Sequence, residues 1–149
     1  MTNLTLYHNG PSTCSQKVRL ILELKKLDYE SKSLDLMSGE QHDPEYVKLN
    51  PNHVVPTLVV NDMALIESSL INEYLEDTFP EIKARPSDPS SIHKMRLWIK
   101  YIDYSSNTSS NLSLILCLST VSLDFVSDTI IIAYFTEYSN SQKLVIAMA

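Results

Sequence analysis

A serine, a threonine and a cysteine stand together where the sequence predicts the start of a helix. Ser12, Thr13 and Cys14 follow the turn residues Asn9-Gly10-Pro11 and precede an apolar stripe at helical spacing. A helix start presents unpaired N–H groups and partial positive charge, which favours an anion such as a thiolate. Keeping a thiol ionised near neutral pH requires about 2.7 kcal/mol of preferential binding to the charged form, of which a hydroxyl donor and the helix dipole supply much. We therefore expect this segment to stabilise a sulfur anion.

A proline stands directly before a run of mostly β-branched apolar residues. Pro56 precedes Thr57-Leu58-Val59-Val60, and because proline cannot donate to a strand ladder it belongs at the first residue of a strand or in a turn. The bond between Val55 and Pro56 is a candidate for the cis form, with an ordinary trans proline as the alternative. In the cis form, the main-chain N–H and C=O of Val55 would be free to pair with an extended peptide-like ligand.

An acidic residue and a serine lie between a predicted strand and a predicted helix. A carboxylate such as that of Glu67 pairs with an ammonium group, while the hydroxyl of Ser68 and a helix start suit a carboxylate. Together the two residues fit the head group of an amino acid. The alternative is a helix that is capped by Ser68 or Ser69 and preceded by a surface acid.

A succession of strands and helices must position these segments. The predicted elements are strands at Leu4–His8, Tyr29–Leu36, Thr57–Val60 and Met63–Ile66, a helix begun near Ser12, a brief helix at Pro44–Leu49 and a helix ended by Phe79-Pro80. The buried stripes of the two longer helices are expected to include Leu24 and Leu70. The order βαβ followed by ββα is the thioredoxin-like arrangement, in which ligands bind where the cis proline meets the start of the first helix.

Two segments resemble the glutathione transferase family. The run Asn-Pro-x-His-x-Val-Pro-Thr-Leu at 50–58, followed by the hairpin and Glu-Ser, is similar to the glutathione-binding half of these enzymes. The segment at 11–19 resembles the Ser-Ser-Cys-Ser-x-x-Val-Arg signature of zeta-class members and of related bacterial dehalogenating enzymes. The resemblance covers about residues 4–104. It implies an α/β, thioredoxin-like domain, a linker and an all-helical domain, with glutathione as co-substrate and no metal.

The resemblance also suggests roles around the sulfur. Ser12 matches the hydroxyl that pairs with the glutathione sulfur, and Thr13 matches the adjacent polar residue. Cys14 is the rival, since in cysteine-type relatives a thiol at this turn forms a mixed disulfide with glutathione.

The same resemblance assigns the rest of the tripeptide. Val55, beside Pro56, would pair with the cysteinyl backbone, and Glu67 with Ser68 would hold the γ-glutamyl end. The remaining assignment concerns the glycyl carboxylate, for which the matching residues are His53 (delta-like) and Gln41 (theta- and delta-like). Val54 departs from the glutamine that many classes carry there.

Composition restricts the other possibilities. The 149 residues are 44% hydrophobic and 20% charged with a net charge of −6, which is typical of a soluble globular chain and argues against nucleic-acid binding. Neither a signal peptide nor a membrane-spanning run is recognisable, so we expect a cytoplasmic protein with unpaired cysteines and no membrane contact. Three histidines are expected to be solvated, since no spacing gathers them into a metal site: His8, His42 and His93.

The chain is expected to divide into a thioredoxin-like domain at 1–80, a linker at 81–90 and a helical region at 91–149. Residues 105–149 are not recognisable: they contain only four charged residues, and their apolar clusters at 112–118 and 130–135 favour strands. The family's second domain contains a Ser/Thr-x-x-Asp capping box, and no such spacing follows residue 104. We therefore expect a truncated helical domain, and a homodimer if the protein is intact.

The predicted reaction is attack of the glutathione thiolate on an electrophilic small molecule. Two alternatives stay open. One is a cysteine-type glutathione-dependent thiol transferase or dehalogenase, and the other is a non-catalytic glutathione-binding module.

Overall fold

The computed structural model describes residues 2–107, 133–135 and 144–146. The chain divides into two compact units, Met1–Ala84 and Arg85–Ala149. In chain order the first unit contains β1 (Leu4–His8), α1 (Thr13–Leu24), β2 (Glu30–Ser33), a short 3₁₀ turn (Glu40–His42), α2 (Pro44–Leu49), β3 (Thr57–Val60), β4 (Met63–Ile66) and α3 (Ser68–Thr78). This confirms the predicted thioredoxin-like order, although β2 is shorter than the predicted strand at Tyr29–Leu36.

The first unit is built on one mixed sheet with the strand order β2-β1-β3-β4. β1 and β2 are parallel, as the crossover through α1 requires. β3 runs antiparallel to both β1 and β4, so that Thr57 pairs with Tyr7 on one side and with Ile66 on the other. β1, β2 and β4 therefore end where β3 begins.

The main core lies between the sheet and the two longer helices. Because side chains alternate along a strand, Leu4, Leu6 and His8 of β1 share the face that is covered by α1. The fully buried residues of this core are Leu6, Val18, Leu22, Leu58, Ile71 and Leu75, and each contributes about 1.5–3 kcal/mol through its burial. On the opposite face, the ring of Tyr46 from α2 lies 5.6 Å from that of Tyr7.

Two leucines that were assigned to the buried stripes are exposed. Leu24 is 36% exposed and Leu70 is 65% exposed, so both predictions were wrong. At the end of α1 the buried position belongs instead to Lys25. Spacing alone did not identify it, because a lysine is buried only where a partner balances its charge.

That partner is Glu76 of α3. Lys25 Nζ lies 2.6 Å from Glu76 Oε2, and the two side chains are only 1% and 9% exposed. The same ammonium donates to the carbonyl oxygens of Phe79 and Ile82 at 2.9 and 2.7 Å, while Glu76 Oε2 also accepts from the N–H of Ala84 at 3.0 Å. The ion pair thus ties the end of α1 to the chain that leaves α3.

The second unit begins with α4 (Pro89–Asn107), which is the helix expected after the linker. The N–H of Ser91 donates to Asp88 Oδ1 at 2.8 Å, and this contact lowers the pKa of Asp88.

The short strands β5 (Ala133–Phe135) and β6 (Leu144–Ile146) form an antiparallel pair. The cluster at 112–118, with Cys117, lies outside the described residues. Within the described ranges, no helix is both long enough and apolar enough to cross a membrane.

Replacing Lys25 with methionine is expected to lower the free energy of unfolding by about 3–5 kcal/mol, because the change leaves the Glu76 carboxylate buried without a cation. Urea denaturation followed by circular dichroism measures the loss. Lys48→Met is the matched control, since its pair with Glu45 is on the surface, with side chains 68% and 80% exposed, and should change stability by no more than about 0.5 kcal/mol. Equal effects of the two substitutions would contradict a structural role for the Lys25 pair.

Candidate functional site

The loops that carry the predicted site residues lie at one end of the sheet. The register places the end of β1 beside the start of β3, and the start of β3 beside the end of β4. β2, parallel to β1, ends there as well. The segments that leave or enter the sheet at this end contain Ser12, Gln41, Val55-Pro56 and Glu67.

Two helices begin at this same end. α1 follows β1 and α3 follows β4, and their early turns are joined by a hydrogen bond from Lys17 Nζ to Ser69 Oγ at 3.2 Å. The partial positive charges of both helix starts therefore lie at this end of the sheet, which suits a ligand with several negative groups.

Ser12 is the N-cap of α1. Its Oγ accepts from the N–H of Ser15 at 3.2 Å, and its carbonyl oxygen accepts from the N–H of Gln16 at 2.9 Å. Because Oγ already accepts inside the helix, its own proton is left to donate outward. The N–H groups of Thr13 and Cys14, at the first two helix positions, have no acceptor within the helix. Cys14 is a half-buried free thiol.

Arg19 and Asn9 hold the loop in front of α1, and sequence reasoning missed both. Arg19 donates from Nη1 to the carbonyl oxygen of Asn9 at 3.1 Å and from Nη2 to that of Gly10 at 3.0 Å. Asn9 Oδ1 accepts from the N–H of Ser12 at 3.3 Å, and Asn9 Nδ2 donates to the carbonyl oxygen of Leu34 at 2.9 Å. The sequence carries no signal for these contacts beyond an asparagine in a turn and an arginine on the following helix.

His8 is buried, although the sequence was interpreted as placing it in solvent. Only 9% of the residue is exposed. Arg19 Nη1 donates to His8 Nδ1 at 3.0 Å, and since a guanidinium has no acceptor, the neutral ring carries its hydrogen on Nε2, which lies 2.7 Å from Ser31 Oγ. Burial, followed by the charge of Arg19, lowers the pKa of His8. The alternation along β1, which puts His8 on the face of Leu6, was the available signal.

A buried hydrogen-bond network shapes the chain before Pro56. Tyr46 Oη donates to the carbonyl oxygen of Val54 at 2.5 Å, and Asn50 Nδ2 donates to the same oxygen at 2.8 Å. Tyr46 Oη and Asn50 Nδ2 also lie 2.9 and 3.1 Å from Thr57 Oγ1. Burial raises the pKa of Tyr46, so its hydroxyl keeps the proton that it donates. The sequence did not indicate this network.

The bond between Val55 and Pro56 is cis, which confirms the prediction. Both residues are buried, and the ladder of β3 starts one residue later, at Thr57. Among the described residues, neither the N–H nor the C=O of Val55 forms a hydrogen bond. This main-chain pair is the kind of edge that an extended peptide can join.

Gln41 and His53, the two residues predicted to contact a single carboxylate, are linked to each other through His42. The Nδ1 atoms of His42 and His53 lie 3.1 Å apart, and Gln41 Nε2 lies 3.2 Å from His42 Nε2. His42 is exposed, as expected, but sequence reasoning did not connect it with the site. Within the described part of the chain, no group of three or more His, Cys, Asp or Glu side chains is arranged for a metal ion.

Two predicted site residues have a left-handed backbone. The φ angles of His53 and Glu67 are 55° and 68°, while Lys26 and Asn61 have similar angles at a helix end and in a hairpin turn. This region favours glycine, so a histidine or a glutamate there costs conformational energy. Backbone strain of this kind is concentrated at functional sites.

Glu67 is the N-cap of α3, and its side chain forms no capping hydrogen bond. Ser68 is the first residue of the helix, so the prediction that Ser68 or Ser69 caps α3 was wrong. Ser68 is buried, and its N–H has no acceptor within the helix. The exposed carboxylate of Glu67 therefore suits a cation, while the hydroxyl and the N–H of Ser68 beside it suit an anion.

A family profile, the glutathione S-transferase N-terminal domain, matches residues 2–77. The chain belongs to the glutathione S-transferase family. A curated relative of this glutathione S-transferase chain is the zeta-class glutathione S-transferase of Euphorbia esula, which is 44% identical over 61% of this chain and 39% of its own length. The resemblance of this chain to zeta-class glutathione S-transferases is thereby confirmed.

Solved structures of other glutathione S-transferase relatives share the fold. The β-etherase LigF from Sphingobium is 40% identical with a TM-score of 0.65, over 68% of this chain and 42% of its own. A maleylacetoacetate isomerase from Methylobacterium extorquens, solved with bound malonate and GSH, is 35% identical with a TM-score of 0.60, over 62% of this chain and 44% of its own. The chain thus spans about two fifths of the length of these relatives.

The stability of the chain is expected to fall as the pH decreases through the histidine range, and His8→Gln should reduce this dependence. Because the pKa of His8 is lowered on folding, the unfolded chain binds more protons below its ordinary value of about 6.5. The contribution of His8 is therefore complete above about pH 6.5 and declines below it. Urea midpoints from about pH 8 to about pH 5 measure the slope.

The control for this pH dependence is His93→Gln, since His93 is exposed on α4. The His93 variant should keep the parent's slope. If the His8 variant also keeps it, His8 does not titrate with folding as the structure implies.

Proposed function

We propose that this chain binds glutathione at the end of the sheet described above and activates its sulfur for attack on an electrophilic carbon of a small molecule. One observation carries the proposal: the main-chain N–H and C=O of Val55 form no hydrogen bond among the described residues. They lie at the sheet end where α1 begins with the capping hydroxyl of Ser12. The relative solved with GSH adds support.

The sulfur chemistry follows from the start of α1. The Ser12 hydroxyl proton and the N–H groups of Thr13 and Cys14 stabilise a thiolate, while the S–H proton leaves to solvent. The thiolate then forms a C–S bond, and the leaving group departs with its electron pair. In an isomerisation, the C–S bond breaks again after rotation and glutathione is returned. Donors that are already positioned stabilise the anion without reorganisation, which is a large term in enzymatic catalysis.

The rest of the tripeptide has its own contacts in this proposal. The N–H and C=O of Val55, beside Pro56, pair with the cysteinyl backbone. Glu67 binds the γ-glutamyl ammonium, and Ser68 with the start of α3 binds the adjacent carboxylate. His53 binds the glycyl carboxylate, and Gln41 supports this histidine from behind, with its amide nitrogen against Leu36 and His42. Holding both ends limits the sulfur to one position in front of α1.

A second candidate function is favoured by the free thiol of Cys14 at the second position of α1. As a thiolate it would attack the mixed disulfide of glutathione and a small thiol, bind the glutathionyl sulfur as a protein mixed disulfide and release the small thiolate; a glutathione thiolate would then restore the cysteine and leave as oxidised glutathione. We also propose that the protein forms a homodimer, as the family resemblance implies.

Ser12→Ala is expected to lower kcat/KM for conjugation of glutathione to chlorodinitrobenzene about 100-fold, because it removes one donor to the sulfur anion. Ser12→Thr keeps both hydroxyl and cap and should retain most of the activity. Urea denaturation of both variants separates catalysis from the loss of the cap, which costs about 1 kcal/mol. Cys14→Ser should leave conjugation close to that of the parent chain.

A disulfide-exchange assay on the same variants distinguishes the alternatives. Loss of exchange in the Cys14 variant, together with full conjugation in Ser12→Ala, would overturn the role of Ser12 and favour the thiol transferase. Retention on immobilised glutathione without turnover of any electrophile would favour a binding module.

Ser68→Ala is expected to raise the Kd for glutathione about tenfold, which is the cost of about 1.4 kcal/mol for a lost hydrogen bond to a charged group. Isothermal titration calorimetry measures it. Ser38→Ala is the control, because Ser38 Oγ donates to the carbonyl oxygen of Asp35 in an exposed loop at 3.0 Å, and its Kd should equal that of the parent. An unchanged Kd in the Ser68 variant would remove Ser68 from the γ-glutamyl contact.

A further inference from the structure

His42 and His53 form a hydrogen-bonded pair of imidazoles at the exposed side of the site. Their Nδ1 atoms are 3.1 Å apart and their ring centroids 5.1 Å apart. In two neutral rings, one Nδ1 carries the hydrogen of this bond and the other accepts it. Two arrangements satisfy the contact, and they differ in which nitrogen of His53 carries its hydrogen.

Gln41 distinguishes between the two arrangements. Its Nε2 lies 3.4 Å from the carbonyl oxygen of Leu36 and 3.2 Å from Nε2 of His42. A carbonyl oxygen can only accept, so we assign the amide nitrogen to the side that faces Leu36; the amide oxygen then lies buried with no hydrogen-bond partner among the described residues. The second hydrogen of that nitrogen then points to His42 Nε2, which accepts it.

The remaining proton positions follow from this contact. Neutral His42, with Nε2 as the acceptor, carries its hydrogen on Nδ1 and donates it to Nδ1 of His53. His53 therefore carries its own hydrogen on Nε2. The reversed arrangement would leave a lone pair on that nitrogen, which repels a carboxylate.

We propose that His42 is a positioning residue that fixes the tautomer of His53, so that His53 Nε2–H is the donor offered to a ligand carboxylate. The inference rests on the proposed function, in which that carboxylate is the glycyl end of glutathione. His42 acts through His53. The carbonyl oxygen of Leu36 orients the amide of Gln41. That amide fixes the tautomer of His42, which in turn fixes the tautomer of His53.

The backbone at His53 supports a role for its side chain. The φ angle of 55° lies in the left-handed region, where glycine would avoid the conformational cost. The N–H of His53 donates to the carbonyl oxygen of Asn50 at 3.1 Å, which ties this strained residue to the buried network. A side chain at this position thus costs conformational energy. A hydrogen bond from the ring nitrogen of His53 to a ligand would compensate for that cost.

Nitrogen-15 NMR of the ligand-free, histidine-labelled chain tests the tautomers directly, because protonated and bare ring nitrogens have distinct chemical shifts. At about pH 8, where imidazoles are neutral, His53 should carry its hydrogen on Nε2 and His42 on Nδ1. In His42→Leu, His53 should become a mixture of tautomers. In His42→Asn, whose amide keeps an N–H near the position of Nδ1, the parent tautomer should remain. A parent chain with His53 protonated on Nδ1 would overturn the proposal.

Binding of two peptides tests the consequence for the ligand. His42→Leu should raise the Kd for glutathione about fivefold and leave the Kd for γ-glutamylcysteine, which lacks the glycyl carboxylate, unchanged. His42→Asn should restore glutathione binding. An equal loss for both peptides would overturn the positioning role. If neither peptide binds the parent chain, the proposed glutathione binding is wrong, and with it the contact to the glycyl carboxylate. The NMR result still decides whether His42 sets the tautomer of His53.

Discussion

The carbonyl oxygen of Val54 is the point on which the site depends. Two buried donors, Tyr46 and Asn50, hold it from inside the fold, and the same two side chains contact Thr57, where β3 joins the sheet. Val55 lies between these anchors, and its own main-chain groups are unused among the described residues. A ligand that pairs with Val55 therefore competes with no internal hydrogen bond, while the segment that receives it is held on both sides.

α1 connects this arrangement to the rest of the first unit through charge as well as packing. Arg19 holds the loop that precedes Ser12, and Lys25 holds the chain that leaves α3. In both cases a cation donates to two carbonyl oxygens, and for the buried Lys25 these bonds supply part of the compensation that a buried charge requires. The helix that presents the capping hydroxyl of Ser12 is thus anchored near its start and at its end, so its first turn has a defined position relative to the sheet.

Much of the first unit was predictable from local pattern. Alternation identified β1, a β-branched run after a proline identified β3, and the short turn after that run identified β4 as its hairpin partner. Turn residues located the start of α1, and the same proline indicated the cis bond at Val55-Pro56. The errors have one physical origin. An apolar stripe shows which helix face tends to be buried but not where its edges lie, so Leu24 and Leu70 were assigned to the core while Lys25 was not. Likewise, a polar residue at a strand end, such as His8, is buried only if a partner reaches it.

By itself, the sequence determined the order of elements, the family resemblance and the types of side chain available for chemistry, because these depend on residues that are near neighbours in the chain. Only the tertiary structure decided which side chains meet: Tyr46 with Val54, Lys25 with Glu76, and His42 between Gln41 and His53. Such contacts depend on how helices and strands pack and on how each buried polar group finds a partner. Periodicity contains no information about these distances, since it describes one element at a time.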